Sequence, residues 1–284
     1  MTESPDPDAV SALFVGLPYT GKTTYLALAY GTIVNDLNCG VDLDAHDDDR
    51  AYLNRILGAL QEFRQADHTT VGETEGMNLS LRFSEHASAR VEIPDLSGET
   101  WQSVHVDRSW DRQLVDAVHG CTGFVLFTNV DYHEAGQTVA EHQADAEALG
   151  DEDWDPTQPH SEEIGEGPTQ LALVDLLQAL RRVHDGVFRL SIVLSAFDAA
   201  LPADIKPTAW VEQNLPLLAQ YVAVNADRIE SRAFGVSGQG GVYPPPPDLE
   251  SIPLLRRAFV RGPEGENESL LAPLLWALGH DHED

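Results

Sequence analysis

One octapeptide, Gly16-Leu17-Pro18-Tyr19-Thr20-Gly21-Lys22-Thr23, constrains this chain more than any other stretch. It has the form G-x-x-x-x-G-K-[ST]. It stands between an apolar run, Ala12 to Val15, and the segment Thr24-Tyr25-Leu26-Ala27-Leu28-Ala29, which reads as the first turns of a helix. Strand, glycine-bearing loop and helix, in that order, are the context in which such a loop wraps a phosphate chain. The glycines let backbone N–H groups turn inward, and a helix opening at Lys22 adds the positive end of its dipole. Lys22 is then expected to bridge the β- and γ-phosphates, and the Thr23 hydroxyl to ligate a magnesium ion. Gly16, Leu17, Pro18, Tyr19, Thr20 and Gly21, with Thr24 behind them, are expected to form the cradle. The bland alternative is a glycine-rich turn that matches by chance; the flanking strand and helix favour a nucleoside-triphosphate site.

Around that loop, apolar runs alternate with amphipathic segments. Strands are expected at Ser11–Val15, Gly123–Val130, Arg189–Leu194 and Arg232–Val236, with a short one at Cys39–Leu43. Helices are expected after the loop to about Asp36, at Ala51–Gln65, at Leu171–Val183, at Trp210–Val224 and at Leu270–Leu278. A further one should carry Trp101, Trp110, Leu114 and Val118, the tryptophans packing on the sheet. Met77–Phe83 and Ala89–Ile93 read as an antiparallel pair joined by the turn between them. The polar, glycine-bearing stretch from His68 to Gly76 reads as a loop. Alternating strands and helices specify an α/β fold, a doubly wound and mostly parallel sheet with one antiparallel edge strand. Such sheets bind ligands at the carboxyl ends of their strands.

The chain has 284 residues and a formal net charge of −30, and Lys22 and Lys206 are its only lysines. A surface so acidic repels nucleic acid and anionic membranes, so neither is expected as a partner. Cys39 and Cys121 belong to no C-x-x-C pair, which supports neither a disulfide framework nor a zinc site. The acidic, proline-containing start is no secretion signal, and no apolar run reaches membrane-spanning length. A soluble, cytoplasmic chain is expected. Its organisation reads as an acidic tail over 1–10, a domain over 11–243 with an acidic insertion at about 131–168, and a proline-rich connection with a closing helix over 244–284.

A second phosphate-side signal follows the strand at Ala89–Ile93. Asp95-Leu96-Ser97-Gly98 is a D-x-x-G. In a nucleotide-hydrolysing switch the aspartate holds magnesium, usually through water, and the glycine N–H touches the γ-phosphate, so loss of that phosphate frees the loop. Alone, the pattern is common as a turn; at a strand end, downstream of a phosphate loop, it is far more specific.

Together these residues resemble the TRAFAC class of P-loop GTPases. More narrowly, G-L-P-x-x-G-K-T-T-Y-L with the later I-P-D-L-S-G-E resembles the double-GTPase families of prokaryotic conflict and defence systems. The resemblance covers about Ser11 to Gly241 and implies a three-layer α/β/α, Ras-like G domain. It implies GTP or GDP and Mg2+ as ligands, and protein partners in a multi-component system. On this reading Thr70, or else Thr69 or Thr74, resembles the switch I threonine that closes on magnesium and the γ-phosphate. Ordinary loop threonines are the alternative. Ser195-Ala196-Phe197-Asp198 occupies the place of the guanine-reading N-K-x-D, so Asp198 is the candidate base reader, although Ala196 stands where a lysine would pack over the base. Asp198 could equally cap a helix starting near Asp204 or be a plain turn residue. Gly235-Val236-Ser237-Gly238 resembles the loop that touches the base, with Ser237 its candidate residue. Glu99 stands where many such proteins have a water-orienting glutamine. A carboxylate cannot donate a hydrogen bond to the γ-phosphate, so slow hydrolysis is expected, completed by Arg108, Arg112 or a partner. A slow GTPase switch is the leading reading. The alternatives are an ATP-hydrolysing P-loop protein and a nucleotide-bound assembly subunit with little turnover.

Overall fold

The structure, a computed structural model, describes residues 10–36, 39–44, 47–64, 77–83, 88–93, 98–131, 168–200, 202–241 and 245–280. Nine strands form one sheet: β1 (Val10–Val15), β2 (Val41–Asp44), β3 (Met77–Phe83), β4 (Ser88–Ile93), β5 (Gly123–Asn129), β6 (Phe188–Ser195), β7 (Ile229–Ser237), β8 (Phe259–Arg261) and β9 (Asn267–Glu268). Their spatial order is β2-β3-β4-β1-β5-β6-β7-β8-β9. The centre is parallel, with β1 between β4 and β5, then β6 and β7. Antiparallel pairing closes both flanks. On one side β3 pairs with β4 and β2 with β3, which includes the hairpin expected at 77–93. On the other, β8 pairs with β7 and β9 with β8. Those last two strands come from the stretch in which only a connection and a helix were expected.

The layers follow from the strands. Along β1, Ala12 and Phe14 face one core and Leu13 and Val15 the other, and none is more than 1% exposed. A strand buried on both faces needs helices on both. The first face carries α1 (Lys22–Asn35), α2 (Asp47–Gln61), α9 (Leu254–Arg257) and α10 (Ala272–Ala277). The second carries α3 (Glu99–Val106), α4 (Arg112–Gly120), α5 (Thr169–Val183), α6 (Pro207–Asn214) and α7 (Pro216–Val224). A short α8 (Pro247–Glu250) precedes α9. Each fully buried Leu or Phe adds roughly 1.5–3 kcal/mol by leaving water.

Three expected helices differ in extent, each for a local reason. The helix expected to carry both Trp101 and Val118 is two helices. Arg108 adopts φ 55° between them, and Asp111 restarts the chain by accepting a bond from Leu114 N at 2.7 Å. The helix expected over Trp210–Val224 stops at Asn214 because Pro216, lacking an N–H, can only begin a new one. The helix expected to Gln65 ends at Gln61, and Phe63 turns the chain with φ 52°.

The C-terminal helix α10 seats directly on the sheet. A Cβ at Gly123 would lie 2.0 Å from the Ala277 carbonyl oxygen, so only glycine lets the two backbones approach. Ser191 Oγ donates to the Pro273 carbonyl at 2.6 Å, and Leu274 N donates to the Tyr25 hydroxyl at 3.1 Å. The Arg189 and Arg232 guanidiniums lie 5.4 and 5.2 Å from the centre of the Trp276 ring. Among the described residues no helix is long and apolar enough to cross a membrane.

Candidate functional site

The octapeptide joins β1 to α1 with the geometry a phosphate cradle needs. Gly21 takes φ 90° at the helix start, where a side chain would collide with Ser195 at 2.8 Å. Tyr19, with φ 63°, projects outward and is 74% exposed. Thr20 is buried and its hydroxyl donates to the Leu17 carbonyl at 2.8 Å, bracing the loop from within. Lys22, the first residue of α1, is 2% exposed; its Nζ donates to the carbonyls of Gly16 and Leu17, each at 2.8 Å. Backbone carbonyls thus hold the buried ammonium inside the loop.

Gly98 sits against this loop. It caps α3 with φ 88°, and a Cβ there would lie 2.6 Å from Pro18 N and 2.7 Å from both the Leu17 carbonyl carbon and Lys22 Nζ. The D-x-x-G glycine and the loop lysine are therefore neighbours across 76 residues of chain. Glu99 follows at the exposed first turn of α3, where its charge suits the helix dipole. Trp101 fastens α3 to the sheet. It is fully buried and its indole N–H donates to the Phe14 carbonyl at 3.0 Å, which fits a packing role and not a base-stacking one.

Beyond the loop opens a cavity of about 520 Å³, the size of ordinary small-molecule sites. Its walls are strand ends: Gly21 and Thr24 after β1, Asn129 and Asp131 after β5, Ser195, Ala196 and Asp198 after β6, and Gly238 and Gln239 after β7. Asp198 lies in a single 3-10 turn, Phe197–Ala199, entered through Ala196 at φ 53°. It caps no helix, since the next one begins at Pro207. Burial pushes its carboxyl above the ordinary aspartate range, and the hydrogen bond from Ser237 works against that rise. Ser237 itself is wholly buried and stands one layer behind the cavity, its Oγ also accepting from Gly240 N at 2.8 Å.

Several expected site residues are not among those described. Asp95 and the switch I candidates Thr69, Thr70 and Thr74 lie outside them, as do residues 132–167 of the acidic insertion. Arg108 and Arg112 are described, and neither lines the cavity. Arg108 pairs with Asp175 on α5, which also binds His105 at 2.8 Å, and Arg112 is 94% exposed beside Asp116. The cavity also contains residues for which no role was expected. Asn129 Nδ2 donates to the Tyr19 carbonyl at 3.3 Å, tying the end of β5 to the loop. Ser195 Oγ is buried without a partner among the described residues, against Gly21. Their one signal in the sequence is position, at the carboxyl ends of buried strands.

A parallel sheet that carries this loop after its central strand, with a cavity across the adjoining strand ends, defines a P-loop nucleotide-binding protein of the α/β class. The family model Double-GTPase 1 matches residues 13–277, and the chain belongs to that family. GTP binding and GTP hydrolysis are the activity of that family. No sequence of a curated protein matches the chain. Solved structures similar in outline include the signal recognition particle receptor SRb-GTP/SRX complex from Chaetomium thermophilum. It is 14% identical, with 81% of this chain and 90% of that one covered and a TM-score of 0.37. The GTP-bound Ski7 GTPase-like domain of S. cerevisiae is 11% identical, with 98% of this chain and 51% of that one covered and a TM-score of 0.45.

Proposed function

We propose that this chain is a magnesium-dependent GTP switch that hydrolyses slowly and controls a protein partner, within the cytoplasm, in a prokaryotic multi-protein system of the defence type. The observation that carries the switch reading is the contact of Gly98 with Pro18, Leu17 and Lys22 Nζ. A γ-phosphate held by Lys22 would bear directly on the start of α3, so its presence or loss would change what Gly98 rests on. In this reading Gly16 to Thr24 bind the phosphates, Asp198 reads guanine and Ser237 holds Asp198. Thr23, Asp95 and Thr70 would hold magnesium; hydroxyl and carboxylate oxygens are the donors such a hard cation takes. When bound, the ion neutralises charge between the β- and γ-phosphates. Glu99, at the water-orienting position, accounts for slow turnover.

Two measurements test this. Fluorescent GTP, with magnesium, is expected to bind the purified chain and to resist a hundredfold excess of ATP; displacement by ATP would establish the ATP reading instead. Turnover by the chain alone is expected to be slow and to rise when its partner is added. No turnover under either condition would favour a nucleotide-bound assembly subunit, and rapid unassisted turnover would refute the slow switch.

Gly98→Ala probes the carrying contact. The added methyl meets backbone atoms at 2.6 and 2.7 Å, and the left-handed φ costs an L-residue about 1–2 kcal/mol. The variant is expected to melt several degrees lower and to bind GTP and GDP with nearly equal affinity. Retention of the wild-type GTP/GDP ratio would show that Gly98 does not sense the γ-phosphate.

A further inference from the structure

We propose that Arg64 is a nucleoside-binding residue whose guanidinium plane stacks on the purine. The inference rests on the nucleotide reading of the cavity given above. Arg64 and Leu60 line that cavity from the end of α2, an element inserted between α1 and β3, and Arg64 is the one cationic side chain among its described lining residues. Its place along the ligand follows from what else lines the cavity. Tyr19, Gly21 and Thr24 do, with the strand-end residues around Asp198, whereas Gly16, Lys22 and Gly98 do not. The cavity thus runs from the phosphate loop at Gly21 and Thr24 to the candidate base reader Asp198, and Lys22 and Gly98, where a γ-phosphate would sit, are not in its lining.

The end of α2 is built to hold Arg64 there. Phe63 takes φ 52°, and Arg64 N donates back to the Ala59 carbonyl at 2.8 Å, closing the helix. Beneath this turn lies Arg257, 5% exposed. Its Nη2 donates to the carbonyls of Leu60 at 2.7 Å and Gln61 at 3.2 Å, and its guanidinium lies 3.8 Å from the Phe63 ring centre. Nη1 donates to the Ile252 carbonyl at 2.8 Å, and Gln61 Oε1 accepts from Leu254 N at 2.7 Å. Nη2 also lies 3.5 Å from Oε1 of Gln239, on the β7 side of the same cavity. These bonds tie the end of α2 to the segment that carries α9. Above the turn, Glu62 Oε2 accepts from Arg64 Nε at 2.7 Å and lies 2.7 Å from Nη2, on the edge of the guanidinium and not on its face. Arg64 remains 65% exposed, and an ion pair that exposed adds little to stability. Its aromatic-binding face stays open, and across the cavity Ala196 provides no long side chain to cover a base.

The test is titration of the full chain with fluorescent GDP and GTP, together with the hydrolysis rate at saturating GTP. Arg64→Ala is expected to weaken GDP and GTP equally, by about tenfold, with hydrolysis at saturation and the melting temperature unchanged. Arg64→Lys, which keeps the charge and loses the plane, should recover only part of the loss, and Arg64→Trp most of it. Unchanged affinities in Arg64→Ala, a loss confined to GTP, or a loss confined to turnover would each overturn the proposal while leaving the nucleotide site standing. Full recovery in Arg64→Lys would replace stacking with a simple charge contact. A wild-type chain that binds neither nucleotide would instead remove the nucleotide reading itself, and this proposal with it.

Discussion

Replacing Lys22 by alanine is expected to lower GTP affinity by on the order of 10²–10⁴-fold, since a pair of charge-assisted hydrogen bonds to phosphate is lost and each is worth about 1.5–3 kcal/mol. GDP should suffer less, because the γ-phosphate is the group the amine is placed to reach. The structure explains why no neighbour can substitute. The Nζ is enclosed by the loop, 2.8 Å from the Gly16 and Leu17 carbonyls, and the only other lysine, Lys206, is exposed and paired with Glu264 at 2.7 Å. Lys206→Ala is therefore the matched control and should bind GTP as the wild type does. Titration with fluorescent GTP in the presence of magnesium reads both variants. Equal affinity in Lys22→Ala and wild type would mean that the octapeptide is a turn and nothing more.

The second large effect is a change of base. Asp198→Asn is expected to shift the ratio of GTP to xanthosine triphosphate affinity by at least 10²-fold toward xanthine, because a carboxylate accepts from the guanine N1–H and amino group and an amide cannot accept both. The fold should not suffer. Burial raises the Asp198 carboxyl, opposed by its bond from Ser237, so the ionised form costs stability that the neutral amide does not. The same shift gives two pH dependences of opposite sign. An acid whose folded pKa is raised stabilises the protein more as pH falls through that value, since protonation relieves the buried charge. Guanine affinity falls over the same window, at a higher pH than an ordinary aspartate would require. Calorimetric titration with GTP at stepped pH, beside melting curves of the free chain, reads both. Unaltered base preference in Asp198→Asn would remove the guanine assignment.

The phosphate loop, Gly98 and the positions of the central strands were legible because local geometry dictates them. Only glycine fits beside Ser195 at position 21 or beside Pro18 at position 98, and a run such as Phe124 to Phe127 suits a strand buried on both sides. What was not legible depends on contacts between distant residues. β8 and β9 are three and two residues long, too short for any periodicity, and exist only because β7 offers them an edge. Arg64 reads as one more surface arginine until Arg257, nearly two hundred residues later, fixes the turn that bears it. Asp198 lay among three roles because nothing local distinguishes a cap or a plain turn residue from a base reader. The start of α6 at Pro207 and the hydroxyl of Ser237 decide that it is no cap.

The packing of α1 determines where motion can occur in this molecule. From Tyr25 to Gly31 every residue of that helix is buried, and the Tyr25 hydroxyl accepts from Leu274 N of α10. A rod gripped on every side cannot act as a lever, so it serves as the anvil of the device. Among the described residues, a stroke delivered by the ligand at Gly98 passes to α3, which that glycine caps. In the switch reading, a protein that senses this stroke should be sought on the α3 side of the sheet.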